Sequence, residues 1–177
     1  MDDDLLLVVS DRPGYTPQIG RLVAMMQYAR HTTLDEVAGL STPELDHLQD
    51  AESNSIGALL QHMAAVERFY QPTLELEMGE QSEAEALDWQ AAGDLGDLGR
   101  ERLRGRPLAH YLDALAAVRA RTLDRLRQRD DAWLEVEQRW GQRRVNHHWM
   151  WFHVMEDELN HRGQIRWLKR RLPVAEA

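Results

Sequence analysis

Four stretches of this chain repeat their apolar residues at intervals of three and four, and none sustains an alternation of period two. A sheet needs the second pattern and a bundle of helices the first, so the periodicity restricts the chain to an all-α fold. In the first stretch Thr16-Pro17 reads as a cap with proline at the first helical position, and Ile19, Leu22, Val23 and Met26 follow on one face. That helix is expected over 17–37. Ser41 with Glu44 three residues on predicts a capping box and a short turn of helix. Ser55 then caps a second long helix with Ile56, Leu59, Leu60, Met63, Val66, Phe69 and Tyr70, kinked at Pro72. Pro107 opens a third, carrying Leu108, Tyr111, Leu112, Leu115, Val118, Thr122 and Leu126 on one face, and 147–172 is a fourth that stops before Pro173. The glycines at 79, 93, 96 and 99 predict a crossover loop over 79–107 with at most a short helix. Trp140-Gly141-Gln142 predicts a turn or small hairpin within 133–145.

Each of these helices has one apolar face, and four such faces bury one another in a four-helix bundle. The 177 residues are expected to form one domain, 1–177, with its core over about 17–172, because a chain of this length buries enough surface to need no division.

Polar residues interrupt the apolar faces at particular places. On the fourth helix Met150, Val154, Ile165 and Leu168 define the inner side, and His153, Asp157 and His161, spaced i, i+4, i+8, run through it as a stripe. An ionised carboxylate in that position costs several kcal/mol, on the order of a buried ion's desolvation, unless it is paired or binds a metal. On the second helix His62 shares its face with Ala58, Leu59, Val66, Phe69 and Thr73. Two imidazoles and a carboxylate converging inside a bundle suit Zn, Ni, Mn or Fe(II), whereas a hydrogen-bonded Asp–His pair with no metal is the simpler alternative. Glu67 lies about 140° from His62 on the helical wheel, which makes it a poor general base, and Glu156 and Glu158 are expected off the inner face.

The chain has no cysteine, so any metal must sit on His, Asp or Glu and any reactive sulfur must arrive with a ligand. A net charge of −9 argues against nucleic acid as a partner. The span 139–171 departs from that balance, with eight Lys or Arg against three carboxylates, +5 locally and −14 elsewhere. Arg166, Lys169, Arg170 and Arg171 are expected to complement the end of a helix dipole. The acidic start over 1–4 and the five-residue apolar run over 5–9 fit neither a signal segment nor a membrane span, so a cytoplasmic protein is expected. Trp149, Trp151 and Phe152 point in different directions and require cover on both sides, from 133–145 or from a second subunit in a homodimer.

The segments Ser55-Ile-Gly-Ala-Leu-Leu-Gln-His62 with Val66-Glu67-Arg68, and His153-Val-Met-Glu-Asp-Glu-Leu-Asn-His161-Arg-Gly-Gln-Ile165, resemble the DinB/YfiT-like superfamily of metalloenzymes, including its thiol S-transferase branches. The likeness extends loosely over 17–172. It implies a four-helix bundle with a divalent metal at its open end, held by His62, Asp157 and His161, with His153 as a neighbouring or alternative ligand. Most of the family has His where this chain has Asp157, although a mycothiol-linked branch carries Glu; a carboxylate there lowers the charge of the site by one. The resemblance further implies transfer of a small thiol of the bacillithiol or mycothiol type to an electrophile through a metal-bound thiolate, with Arg143, Arg144 and Arg162 as contacts for the cosubstrate. A metal-dependent hydrolase and a non-catalytic stress-response bundle with a vestigial site are the alternatives.

Overall fold

The computed structural model describes residues 6–77 and 79–173; the acidic start and Leu5 lie outside the described residues. Four long helices carry the fold: α1 (Pro17–Val37), α3 (Ile56–Tyr70), α6 (Leu108–Leu126) and α8 (His147–Lys169). Shorter elements join them: α2 (Thr42–Asp46), α4 (Glu83–Asp94), α5 (Gly96–Arg102), α7 (Asp131–Leu134), and a hairpin of β1 (Glu137–Trp140) and β2 (Arg143–Asn146). Helix α1 packs on α8, α8 on α3, α3 on α6, and α6 back on α1. The all-α bundle predicted from periodicity is the fold. None of the described helices is long and apolar enough to cross a membrane.

The helix starts follow the expected chemistry, with one change. Ser55 Oγ accepts the Ala58 amide at 3.1 Å, and the Glu44 carboxylate accepts the Ser41 amide at 2.7 Å. At α1, Thr16 is the residue before the first turn but caps nothing with its side chain. The orphan amides of Gln18 and Ile19 instead donate to Asp131 Oδ1, at 3.0 and 3.2 Å, so the start of α1 is closed by α7 from 112 residues away.

The segment 79–107 departs from the expected loop. It folds into α4, twelve residues long, and α5, seven residues long. Ser82 and Glu85 form a capping box at the start of α4, and Ala91 and Ala92 bury its inner side against Ala58, Ala65 and Leu103. Of the glycines read as breakers, Gly96, at φ +61°, makes the junction between the two helices, while Gly93 lies within α4 and Gly99 within α5. Pro72 does not kink α3 either; α3 stops at Tyr70 and a 3-10 turn, Gln71–Leu74, takes over.

The centre of the bundle is ionic. Arg30 on α1, Glu67 on α3, Arg119 on α6 and Glu158 on α8 are all buried, and each guanidinium meets both carboxylates. Arg30 reaches Glu158 at 2.7 Å and Glu67 at 3.3 Å; Arg119 reaches Glu67 at 2.9 Å and Glu158 at 3.0 Å. Arg30 also donates to the Leu115 carbonyl and Arg119 to that of Met26. Glu158 therefore does not lie off the inner face as the helical wheel suggested. Helix α8 is buried on two sides, against α1 as well as α3, and a wheel centred on Asp157 registers only the second.

A candidate metal centre at the junction of three helices

His62 comes two turns into α3, and Asp157 and His161 are one turn apart on α8. Their packing brings the three side chains together. His62 Nε2 is 3.6 Å and His161 Nε2 3.3 Å from the same oxygen, Asp157 Oδ1. The imidazoles meet edge to face at 4.7 Å between centroids, and one donor atom from each residue lies within 4.8 Å of the other two. The side chains are 12–14% exposed, so a small ligand can reach them while bulk water is largely kept away.

Helix α4 fixes the orientation of His62. Its Nδ1 lies 2.7 Å from the Ala92 carbonyl, which can only accept, so Nδ1 carries a proton and Nε2 is left to face Asp157. Burial disfavours the imidazolium, but the Asp157 carboxylate and the Ala92 carbonyl outweigh it and raise the His62 pKa above the ordinary value. Burial likewise pushes the Asp157 carboxyl up, and His161 and His62 overcome it, holding the carboxyl well below the usual carboxylate range.

The cluster is short of partners. Asp157 Oδ2 and His161 Nδ1 are buried with no hydrogen-bond partner among the described residues. An unpaired buried carboxylate oxygen is costly, and a divalent cation among two imidazoles and a carboxylate would relieve Asp157 Oδ2, so the donor set fits a metal.

Three comparisons bear on what such a centre belongs to. The sequence model of the family described as mycothiol-S-transferase matches residues 21–172. The chain belongs to that family. A solved structure of a conserved protein from Enterococcus faecalis is similar at 16% identity, with a TM-score of 0.61 over 84% of this chain and 93% of its own, a likeness of fold alone. No curated protein matches the chain.

In this mycothiol-S-transferase family member the remaining residues singled out from the sequence are spread around the cluster. His153, one turn before Asp157, lies outside the three-residue group: its Nδ1 is 3.2 Å from Glu156, and its ring stacks on Trp149 at 5.1 Å and 9°. Arg143 and Arg144 line a groove of about 600 Å³ with Glu137, Trp140, Val145, Asn146 and Trp149. Arg144 is paired with Glu137. Arg162 turns to α1, donating to the Thr32 hydroxyl and lying over the Tyr28 ring at 5.9 Å. Phe69, placed inward by the wheel, is 64% exposed and touches Tyr70 and Trp140 edge-on and tilted.

Sequence reasoning missed two contributors. The Ala92 carbonyl carries no signal when 79–107 reads as a crossover loop with at most a short helix, although Ser82-x-x-Glu85 is the same capping signature that identifies α2. The Arg30–Glu67–Arg119–Glu158 square left no signal in periodicity, since each member reads as an ordinary polar residue on its own helix.

Proposed function

We propose that the chain is a metal-dependent enzyme that transfers a low-molecular-weight thiol, of the bacillithiol or mycothiol type, to an electrophilic small molecule. The observation that carries the reading is the convergence of His62, Asp157 and His161, with Asp157 Oδ2 left unpaired, in a member of a thiol transferase family. Those three residues would hold a divalent cation, Zn, Ni, Mn or Fe, whose charge stabilises the thiolate of the cosubstrate near neutral pH. Ala92 fixes the ring of His62 so that Nε2 stays directed at the centre. Asp157 supplies one negative charge, and the absence of cysteine leaves the sulfur to the cosubstrate. His153 stands one turn from Asp157 on α8, stacked on Trp149. Of the three arginines expected to contact the cosubstrate, Arg144 and Arg162 already have partners, and Arg143 is the one whose guanidinium has no partner among the described residues. A cytoplasmic setting suits a reaction that consumes reduced thiol.

A hydrolytic reading is less favoured, because Glu67 and Glu158, the buried carboxylates nearest in sequence to the ligands, are committed to Arg30 and Arg119. The test is elemental analysis of protein purified without chelator, beside His62→Ala and His161→Ala, followed by a screen of several small thiols with a bromobimane-type electrophile. Near-stoichiometric metal lost in both variants, with turnover of at least one thiol in the parent, is expected. A parent that binds no metal would leave a vestigial site on a non-catalytic bundle, and metal without thiol turnover would return the hydrolase.

A further inference from the structure

The hairpin between α7 and α8 builds a groove that the cluster itself does not need. Its walls are two indoles in contact, Trp140 and Trp149, with centroids 5.5 Å apart and inclined at 67°, which stay 45% and 39% exposed. Phe69 from α3, 64% exposed, extends the same surface at 6.3 Å from Trp140, and the buried Tyr70 backs it from beneath at 5.9 Å. So much aromatic surface left open on one patch marks a ligand or partner site. A volume of about 600 Å³ is that of a small-molecule pocket.

The polar groups around these rings decide what the ligand is. Glu137 is engaged by Arg144, and the side-chain oxygen of Asn146 accepts the Trp149 amide at 2.9 Å as the cap of α8. Arg143 alone among the groove's charged residues has no ion pair among the described residues. The groove thus offers aromatic faces and one uncompensated guanidinium, in a chain whose net charge is −9. A sugar ring needs several acceptors for its hydroxyls, and the groove's acceptor side chains are only Glu137, held by Arg144 through Oε2, and Asn146, held by the Trp149 amide. A flat conjugated ring bearing an anionic group matches both features, through stacking and through charge-assisted hydrogen bonds to Arg143.

The groove also has a fixed relation to the cluster. Trp149 stacks on His153, His153 precedes Asp157 by one turn, and Trp149 and Asp157 are eight residues apart on α8, about 12 Å along the axis. Tyr70 stands eight residues after His62 on α3 and lies 6.1 Å from the His153 ring. An occupant of the groove is therefore held about two helical turns from the reacting centre, where binding of a remote part of a substrate aids reaction at the other end.

We propose that the Trp140–Trp149–Arg143 groove is the subsite for the electrophile and selects an aromatic carboxylate end, held about two helical turns from the atom that receives the thiol. The assignment of the occupant as electrophile rests on the transferase reading; the binding chemistry does not.

The experiment is therefore a binding measurement on metal-free protein without thiol. 2-Naphthoate is titrated and followed by tryptophan fluorescence and by calorimetry, with 2-naphthamide as the neutral control. Saturable 2-naphthoate binding is expected, weakened about tenfold or more in Arg143→Ala and in Trp140→Ala, unchanged in Arg139→Ala, and retained in His161→Ala. 2-Naphthamide should bind more weakly than the acid, and equally in the parent and Arg143→Ala. Circular dichroism of each variant guards against loss of the hairpin, and Arg143→Lys, which keeps the charge, should restore most of the affinity. No saturation at millimolar 2-naphthoate, or binding indifferent to Arg143 and Trp140, would overturn the proposal. A dimer in light scattering that Trp140→Ala dissociates would overturn it too, by giving the aromatic patch to a second copy of the chain. If 2-naphthoate binds as expected but the metal or thiol tests fail, the groove stands and the transferase reading falls.

Discussion

The Ala92 carbonyl on α4 holds the His62 imidazole on α3 by its Nδ1 proton at 2.7 Å, which leaves Nε2 as the nitrogen facing Asp157 and His161. A preset tautomer means that a cation finds the ring already turned. Thermal stability should therefore rise on adding Zn, Ni or Mn, by about 5–10 °C at a concentration near 100 times the dissociation constant. His62→Ala, Asp157→Asn and His161→Ala should each abolish the shift, and the parent should lose it progressively at acidic pH as protons compete for the imidazoles. Differential scanning fluorimetry with and without metal checks this; an equal shift in all four proteins would assign the metal to some other site.

The same bond ties the centre to a lightly anchored segment. Helix α4 buries only Ala91 and Ala92, and Leu95 at its end sits at φ +55°, a conformation that costs a non-glycine residue of order 1–3 kcal/mol. Metal on His62 should favour the docked state of α4. Amides of α4 are expected to exchange several-fold more slowly in the metal-loaded protein than in the metal-free one, while those of α6, which touches no ligand, change little. Hydrogen-exchange mass spectrometry reads both helices in one experiment, and Leu95→Gly should slow α4 exchange even without metal.

The two histidines and the aspartate were legible in the sequence because each is polar where periodicity demands an apolar residue; the signal lies in the violation. The helices were legible for the converse reason, and Ser55, Pro107 and Pro173 marked their ends. What could not be read was any feature that depends on two helices at once. Glu158 is neither on the Asp157 face nor exposed, because α8 has a second buried side toward α1. Four glycines that look like breakers mask helix α4, yet Gly79 lies ahead of it, Gly93 within it, Gly96 at the first position of α5 and Gly99 inside α5.

The buried square of charges makes a sharp stability prediction. Removing one partner leaves an uncompensated ion, so Glu67→Gln and Arg119→Met should each destabilise the fold by about 3–5 kcal/mol, whereas replacing all four members by well-packed apolar residues should cost far less. Burial pushes the Glu67 carboxyl up, but Arg119 and Arg30 more than offset it and hold it below the ordinary value of 4.5. With the folded pKa below the unfolded one, the unfolded chain binds more protons near pH 4.5. The contribution of Glu67 is thus complete above that value and lost as pH falls through the folded one. Urea midpoints between pH 7 and pH 3 should fall more steeply for the parent than for Glu67→Gln.

Two helical glycines should answer the same substitution with opposite signs. In Gly57, at the start of α3, an added Cβ would stand 2.7 Å from the Tyr111 hydroxyl oxygen and 2.8 Å from its Cζ. Tyr111 is completely buried, with its hydroxyl donating to the Leu103 carbonyl at 3.3 Å, and burial raises its pKa to about 12. The ring has nowhere to retreat, so Gly57→Ala should destabilise the protein by about 1–3 kcal/mol despite the better helix propensity of alanine. Gly163 on α8 has open space where its Cβ would be and no positive φ, so Gly163→Ala should stabilise by about 0.5–1 kcal/mol. Urea denaturation of the pair measures both. Because α3 carries His62, the Gly57 variant should also bind metal more weakly, and a Gly57→Ala protein with unchanged metal affinity would mean that α3 absorbs the clash at its first turn without moving the imidazole.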